Sequence, residues 1–140
     1  MQLSMTLDEL NSFLDDHFPQ VAGEFEVMDV TPMHLVTRAN VADKHLRPGG
    51  TVSGPTMFAL ADVSVYLAIL AMVGPKALAV TTNCAIDFMR KPAAATNLRG
   101  ETRILKLGKV LAVGDVLIFS EGDDRPVARA SMTYSIPPGP

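Results

Sequence analysis

Between residues 57 and 72 apolar side chains occupy every side of a helical wheel, whereas elsewhere they keep to one face. That run predicts a helix enclosed by protein. The glycine-rich loop 43–53 leads into it, with Gly54 at the cap and Pro55 at the first helical position, where a missing N–H costs nothing. Gly74-Pro75 stops it.

Before this helix, residues 6–18 carry an amphipathic pattern. Leu7, Leu10, Phe13 and Leu14 form one stripe, Thr6 and Glu9 have capping-box spacing, Met5 and Leu10 are placed as a hydrophobic staple, and Pro19 follows. Residues 24–30 and 34–41 read as strands joined by a turn at Thr31-Pro32.

After the helix the period changes to two. Residues 77–89 predict a long strand with Leu78, Val80, Thr82, Cys84, Ile86 and Phe88 on one face and Thr81, Asn83 and Asp87 on the other. Residues 98–107 and 110–119 form a hairpin turning at Gly108-Lys109. Residues 127–136 add a strand whose apolar face is Ala128, Ala130, Met132, Tyr134 and Ile136. The expectation is one α+β domain over residues 1–140, an antiparallel sheet of five to six strands wrapped around one long helix, with a short N-terminal helix.

Composition adds a partner to this picture. Of 140 residues, 48% are hydrophobic and 19% charged, so part of the surface is apolar, and an oligomer interface is a natural place for it. The formal charge of −3 argues against a nucleic-acid binder. It is unevenly spread: the first thirty residues hold acids and no Lys or Arg, while Arg90, Lys91, Arg99, Arg103, Lys106 and Lys109 face Glu101 alone over residues 88–114. A small anionic ligand fits the basic half.

The single Cys84 excludes an internal disulfide framework and lies in an apolar alternation that marks it as core. No basic, then apolar, leader opens the chain, so the expected location is cytoplasmic. His17, His34 and His45 are not at metal-ligand spacing from one another or from Cys84, and each is expected to face solvent or be hydrogen-bonded; no metal is expected. A membrane span is disfavoured because the apolar run falls short of about 20 residues and contains Asp62 beside Val63 and Ser64.

Asp62 is the residue that asks for chemistry. A carboxylate in an apolar helix costs several kcal/mol unless it is paired. A buried Arg partner or a loop-capping role would be a structural reason, but the glycine-rich helix entry beside it favours a functional one. Gly49-x-x-x-x-Gly54-Pro55-Thr56 is no phosphate-binding loop, since Pro55 replaces the lysine. Ser53, in GTVSG, is no nucleophile elbow. What remains is a helix-start amide for an oxyanion and a carboxylate for water, the parts of an acyl-transfer or hydrolysis site. Eight residues separate them, about 12 Å along one axis. Two antiparallel copies would bring Gly54 of one to Asp62 of the other.

GTVSGPTMFALAD followed by TTNCAIDFMRKP resembles the hotdog-fold acyl-CoA thioesterases of the phenylacetic-acid-pathway (PaaI-like) type over about residues 20–136. The resemblance implies a homodimer, or a dimer of dimers, that hydrolyses an acyl-CoA without a cofactor, coenzyme A being part of the substrate. It implies Gly54 as the oxyanion glycine, with Thr56 N–H in support, and Asp62 as general base or nucleophile. Thr81 and Ser53 would orient water or substrate. Ser53 stands where the family usually has His, Pro55 where it has a second Gly, and Arg47 roughly where it has a carbonyl-binding Asn. Arg47, Pro55 and Thr56 are then substrate contacts, and Arg90, Lys91, Lys106 and Lys109 candidates for the nucleotide phosphates or the pantetheine mouth.

Three rival readings fit parts of the same pattern. An enoyl-CoA hydratase of the same fold lacks its His at the right spacing. A non-catalytic acyl-CoA-binding protein is favoured by Ser53 and Arg47 and disfavoured by Asp62. An interaction module would have its dimer surface as its whole function.

Overall fold

The computed structural model describes residues 2–21, 23–75 and 79–138. In chain order it contains α1 (Leu7–His17), β1 (Phe25–Thr31), β2 (His34–Ala39), α2 (Gly54–Val73), β3 (Val80–Phe88), β4 (Leu98–Leu107), β5 (Leu111–Ser120) and β6 (Ala128–Ser135). Short 3-10 turns stand at Pro19–Val21 and Asp43–His45. The strands form one antiparallel sheet in the order β1-β2-β4-β5-β6-β3, and α2 packs along its inner face.

Local rules account for most of these boundaries. Thr6 caps α1 and a full capping box with Glu9 closes its first turn; Leu10, Phe13 and Leu14 are its buried stripe. The β1–β2 turn is centred on Pro32-Met33, one residue later than expected, with Met33 in the left-handed region at φ 66°. The alternating residues Ala128, Ala130, Met132, Tyr134 and Ile136 are all buried.

Helix α2 departs from the expectation in three ways. Its cap is Ser53, whose side chain accepts from the Thr56 N–H, so Gly54 is the first helical residue and Pro55 the second. It is 20 residues long, so length does not distinguish it from a membrane span; its packing in the core does. Nor is it enclosed on every side. Leu60, Leu67 and Leu70 are fully buried, each stabilising the fold by roughly 1.5–3 kcal/mol. Pro55, Phe58, Ala59 and Asp62, at helical spacing along one side, keep some exposure.

The polar contact between helix and sheet is short. Thr37 Oγ1 and Ser64 Oγ lie 2.6 Å apart, both buried. Gly100 lets β4 approach this pair, since a Cβ there would stand 2.7 Å from Thr37 Oγ1. This bond fixes α2 against β2 two residues beyond Asp62.

Candidate functional site

Asp62 emerges on the open side of α2 into a cavity of about 530 Å³ walled by α1, α2, β3 and β6. Its lining includes His17, Phe18, Val63, Tyr66, Thr81 and Tyr134. The carboxylate is half-buried, and its partner is not an arginine. Thr81 Oγ1 donates to Asp62 Oδ1 at 2.5 Å, and Tyr134 Oη lies 2.6 Å from the same oxygen. Among the described residues nothing donates to Oδ2. One carboxylate oxygen is held by two hydroxyls, the other has no donor among the described residues, and the residue lines the cavity.

A bulge in β3 makes this contact. Thr81 pairs with Tyr134 and Asn83 with Thr133, so Thr82 is the extra residue and the alternation changes phase across it. Strict alternation put Thr81 opposite Cys84; the bulge turns it inward with Cys84, Ile86 and Phe88. Val80 goes to the outside, 55% exposed. Ala77 and Leu78, the expected first residues of this strand, lie outside the described residues.

Burial, then the hydrogen bond to Asp62 and its charge, push the Tyr134 phenol well above its ordinary value, so it remains a donor at neutral pH. Burial, then the Asp62 charge, raises the Cys84 thiol, which leaves it protonated and a poor nucleophile. Cys84 is half-buried and packs against the core, in keeping with its expected place.

Gly54 opens a second cavity, about 420 Å³, with Arg47, Thr51, Phe88, Arg90 and Lys91 in its wall. No acceptor among the described residues meets the Gly54 N–H. The ring of Phe88 covers the glycine closely: a Cβ there would lie 3.3 Å from Phe88 Cζ. Ser53 Oγ is engaged with Thr56, 2.9 Å from Thr56 Oγ1 and 3.4 Å from Thr56 N. The Thr56 amide is therefore turned toward its own cap, and Pro55 is exposed at the rim.

The loop before Gly54 is braced from behind. His45 O accepts from Ser53 N at 2.8 Å and from Thr56 Oγ1 at 3.4 Å. The His45 ring spans Ala42 N–H, 2.8 Å from Nδ1, and Glu24 Oε1, 2.8 Å from Nε2. Accepting on Nδ1 makes Nε2 the protonated nitrogen. The bond from His45, followed by Lys44, holds the Glu24 carboxyl below its ordinary value.

Of the expected anion-binding residues, Arg47, Arg90 and Lys91 share the Gly54 cavity. Arg90 Nε also donates to Pro126 O at 3.0 Å. Lys106 and Lys109 lie at the other end of the strands: Ile104 N bonds Met33 O, and Met33 N reaches Met72 Sδ near the end of α2. One chain does not bring them to Arg47. Nor does it join the two cavities, which have no lining residue in common.

Pattern reading overlooked two residues of the Asp62 cavity. Tyr134 lies on the inner face of its strand, as the alternation predicts, but the alternation marks it only as an apolar residue. A buried phenol needs an acceptor, and Asp62 is a carboxylate on the helix beneath it, so a signal existed. His17 is exposed, as expected, and also lines the cavity with its ring stacked on Phe13 at 4.4 Å.

With a carboxylate on a sheet-wrapped helix and a free amide at that helix's start, the comparisons with known proteins agree. The family model described as the thioesterase superfamily matches residues 49–127. The chain belongs to the thioesterase superfamily, with its hotdog fold. A protein of Pseudomonas aeruginosa named "putative esterase" is 30% identical over 82% of this chain and 84% of its own. The crystal structure of a "putative thioesterase" from Silicibacter sp. TM1040 superposes with a TM-score of 0.92 at 57% identity, covering 99% of this chain and 96% of that one. A mutant of the phenylacetic acid degradation protein PaaI from Thermus thermophilus superposes with a TM-score of 0.73 at 28% identity, over 85% of this chain and 99% of its own. These neighbours support the PaaI-like type within the superfamily.

Proposed function

We propose that this protein hydrolyses an acyl-CoA thioester to the carboxylic acid and free CoA, at sites shared between two antiparallel copies in the cytoplasm. The observation that carries the reading is the Asp62 carboxylate, with Oδ1 held by two hydroxyls, Oδ2 without a donor among the described residues, and the residue lining a cavity. A structural carboxylate has no need of an open cavity beside it.

The thioester oxygen sits on the Gly54 amide of one copy, and Asp62 of the other supplies the base. Oδ2 takes a proton from water, the hydroxide adds to the carbonyl carbon, the C–S bond breaks and the proton passes to the departing thiolate. Should Asp62 act as nucleophile instead, the same Oδ2 attacks and water releases the acid afterwards. Thr81 orients the carboxylate in either case.

Two features of one chain support a second copy. Among the described residues, strand β3 is an edge paired only to β6, and Val80, Phe88 and Met89 on it or next to it are exposed. Antiparallel self-pairing of this strand about Cys84 would set Thr81 of one copy opposite Asp87 of the other. The Asp62 cavity of one would then meet the Gly54 cavity of its partner, and the open strip Pro55–Phe58–Ala59 would be covered. Arg47, Arg90 and Lys91 would take the phosphates of CoA; Lys106 and Lys109 would reach them only from another copy.

The alternative, a non-catalytic acyl-CoA-binding protein, draws on Ser53, whose hydroxyl caps the helix where the family usually has a free His. Free-thiol release from short, medium, long and aryl acyl-CoAs, run beside Asp62→Asn, separates the two. Hydrolysis abolished in the variant, a loss of about a thousandfold, supports the enzyme. No hydrolysis of any ester, with acyl-CoA still raising Tm, supports the binder.

A further inference from the structure

We propose that Tyr134 is a positioning residue for Asp62, fixing the carboxylate so that Oδ2 alone faces the thioester. The proposal rests on the hydrolase reading above. Tyr134 Oη lies 2.6 Å from Asp62 Oδ1 and 2.9 Å from the carbonyl oxygen of the same residue, so one hydroxyl bridges the side chain and backbone of Asp62. A carboxylate turned to another rotamer loses that bridge.

Thr81 reaches the same oxygen but from a less secure base. It stands on β3 at a bulge, where the pairing with β6 shifts register, and it is only partly buried. Tyr134 stands on β6, paired on both sides by β5 and β3, and is 3% exposed. Its ring packs at 6.1 Å from that of Tyr66. The rigid reference for Asp62 is therefore the phenol, with Thr81 as its second contact.

The hydroxyl is not needed for packing. Phenylalanine would fill the same space without burying a polar group, and a buried hydroxyl is tolerated only when it finds acceptors. Among the described residues, the acceptors it finds are the two Asp62 oxygens. The raised phenol value keeps its proton in place through the neutral range.

Tyr134→Phe tests this against the acyl-CoA that the wild type turns over fastest. The expected result is a kcat lower by between about tenfold and a hundredfold, with KM within about twofold of wild type and little change in Tm. Thr81→Val added to it should remove most of the remaining turnover, because both donors to Oδ1 are then gone. Unchanged kcat in Tyr134→Phe overturns the proposal, as does a loss confined to KM and Tm, which marks a purely structural role. Wild-type protein that hydrolyses no ester overturns the hydrolase reading and this inference together; wild-type activity with an indifferent Tyr134→Phe overturns this inference alone.

Discussion

The two ends of the open strip on α2 solve different physical problems. At Asp62 a charge emerges from an apolar helix, and the fold surrounds it with support: a bulge that turns Thr81 inward, a buried phenol, and a bond from Ser64 to the sheet just beyond. At Gly54 there is only a backbone amide, and the support lies behind it, in the cap and the His45 brace. A carboxylate has side-chain freedom that must be removed, whereas an amide at a helix start is already fixed by the helix. Each end lacks what the other has.

The strongest way to break the comparison is to disable one end in each of two variants and mix them. Asp62→Asn removes the base, and Gly54→Val places side-chain atoms against the Phe88 ring, which already lies 3.3 Å from a Cβ at that position. Each variant alone should lose activity by about a hundredfold or more. Co-refolded in equal amounts, they should recover about a quarter of wild-type turnover. Half of the dimers are then mixed, and each mixed dimer carries one intact Gly54–Asp62 pair. No recovery, in mixtures shown to contain the mixed dimer, would mean that each chain uses its own Gly54 and Asp62.

The Gly54 end was the more legible in sequence. Glycine, proline and hydroxyl residues around a helix start act through backbone geometry, which follows from local order along the chain. Even there the cap was misplaced by one residue, because Gly54 and Ser53 are both acceptable caps and only the hydrogen bond to Thr56 decides between them. At the other end Asp62 stood out, but its partners did not. Thr81 lies on the inner face only because Thr82 is the extra residue of a bulge, and strict alternation gives the opposite side. Tyr134 is 72 residues away in sequence and reads as one more large residue in an apolar strand. The order of helices and strands along the chain, set by periodicity, was readable to within a few residues, β2 ending at Ala39 rather than at Val41 and β3 running from Val80; the long-range contacts depended on register.

Ser53 sharpens the comparison at a smaller scale. In this structure its hydroxyl acts on the helix, so Ser53→Ala should cost about 1 kcal/mol of stability, read as a fall of a few degrees in Tm. Its effect on kcat should be modest beside that of Tyr134→Phe. A kcat loss equal to that of Asp62→Asn, with Tm unchanged, would return Ser53 to the orientation of water or substrate.

The smallest effect expected concerns acid. The donors on Asp62 are hydroxyls, neither of which titrates below neutrality, whereas the Gly54 loop is braced through the Glu24 carboxylate. His45 and then Lys44 hold the Glu24 carboxyl below its ordinary value, so folding favours the ionised form. The stabilisation is complete above that value and is lost as pH falls through the lower folded value. Glu24→Gln should therefore lower Tm slightly at neutral pH and flatten the decline in Tm on acidification below about pH 5. The same variant should raise KM for acyl-CoA more than it changes kcat, because the loop carrying Arg47 loosens while Asp62 keeps both its hydroxyls. A kcat loss with KM preserved would show instead that the brace reaches the Asp62 end, and that the two halves of α2 are mechanically one.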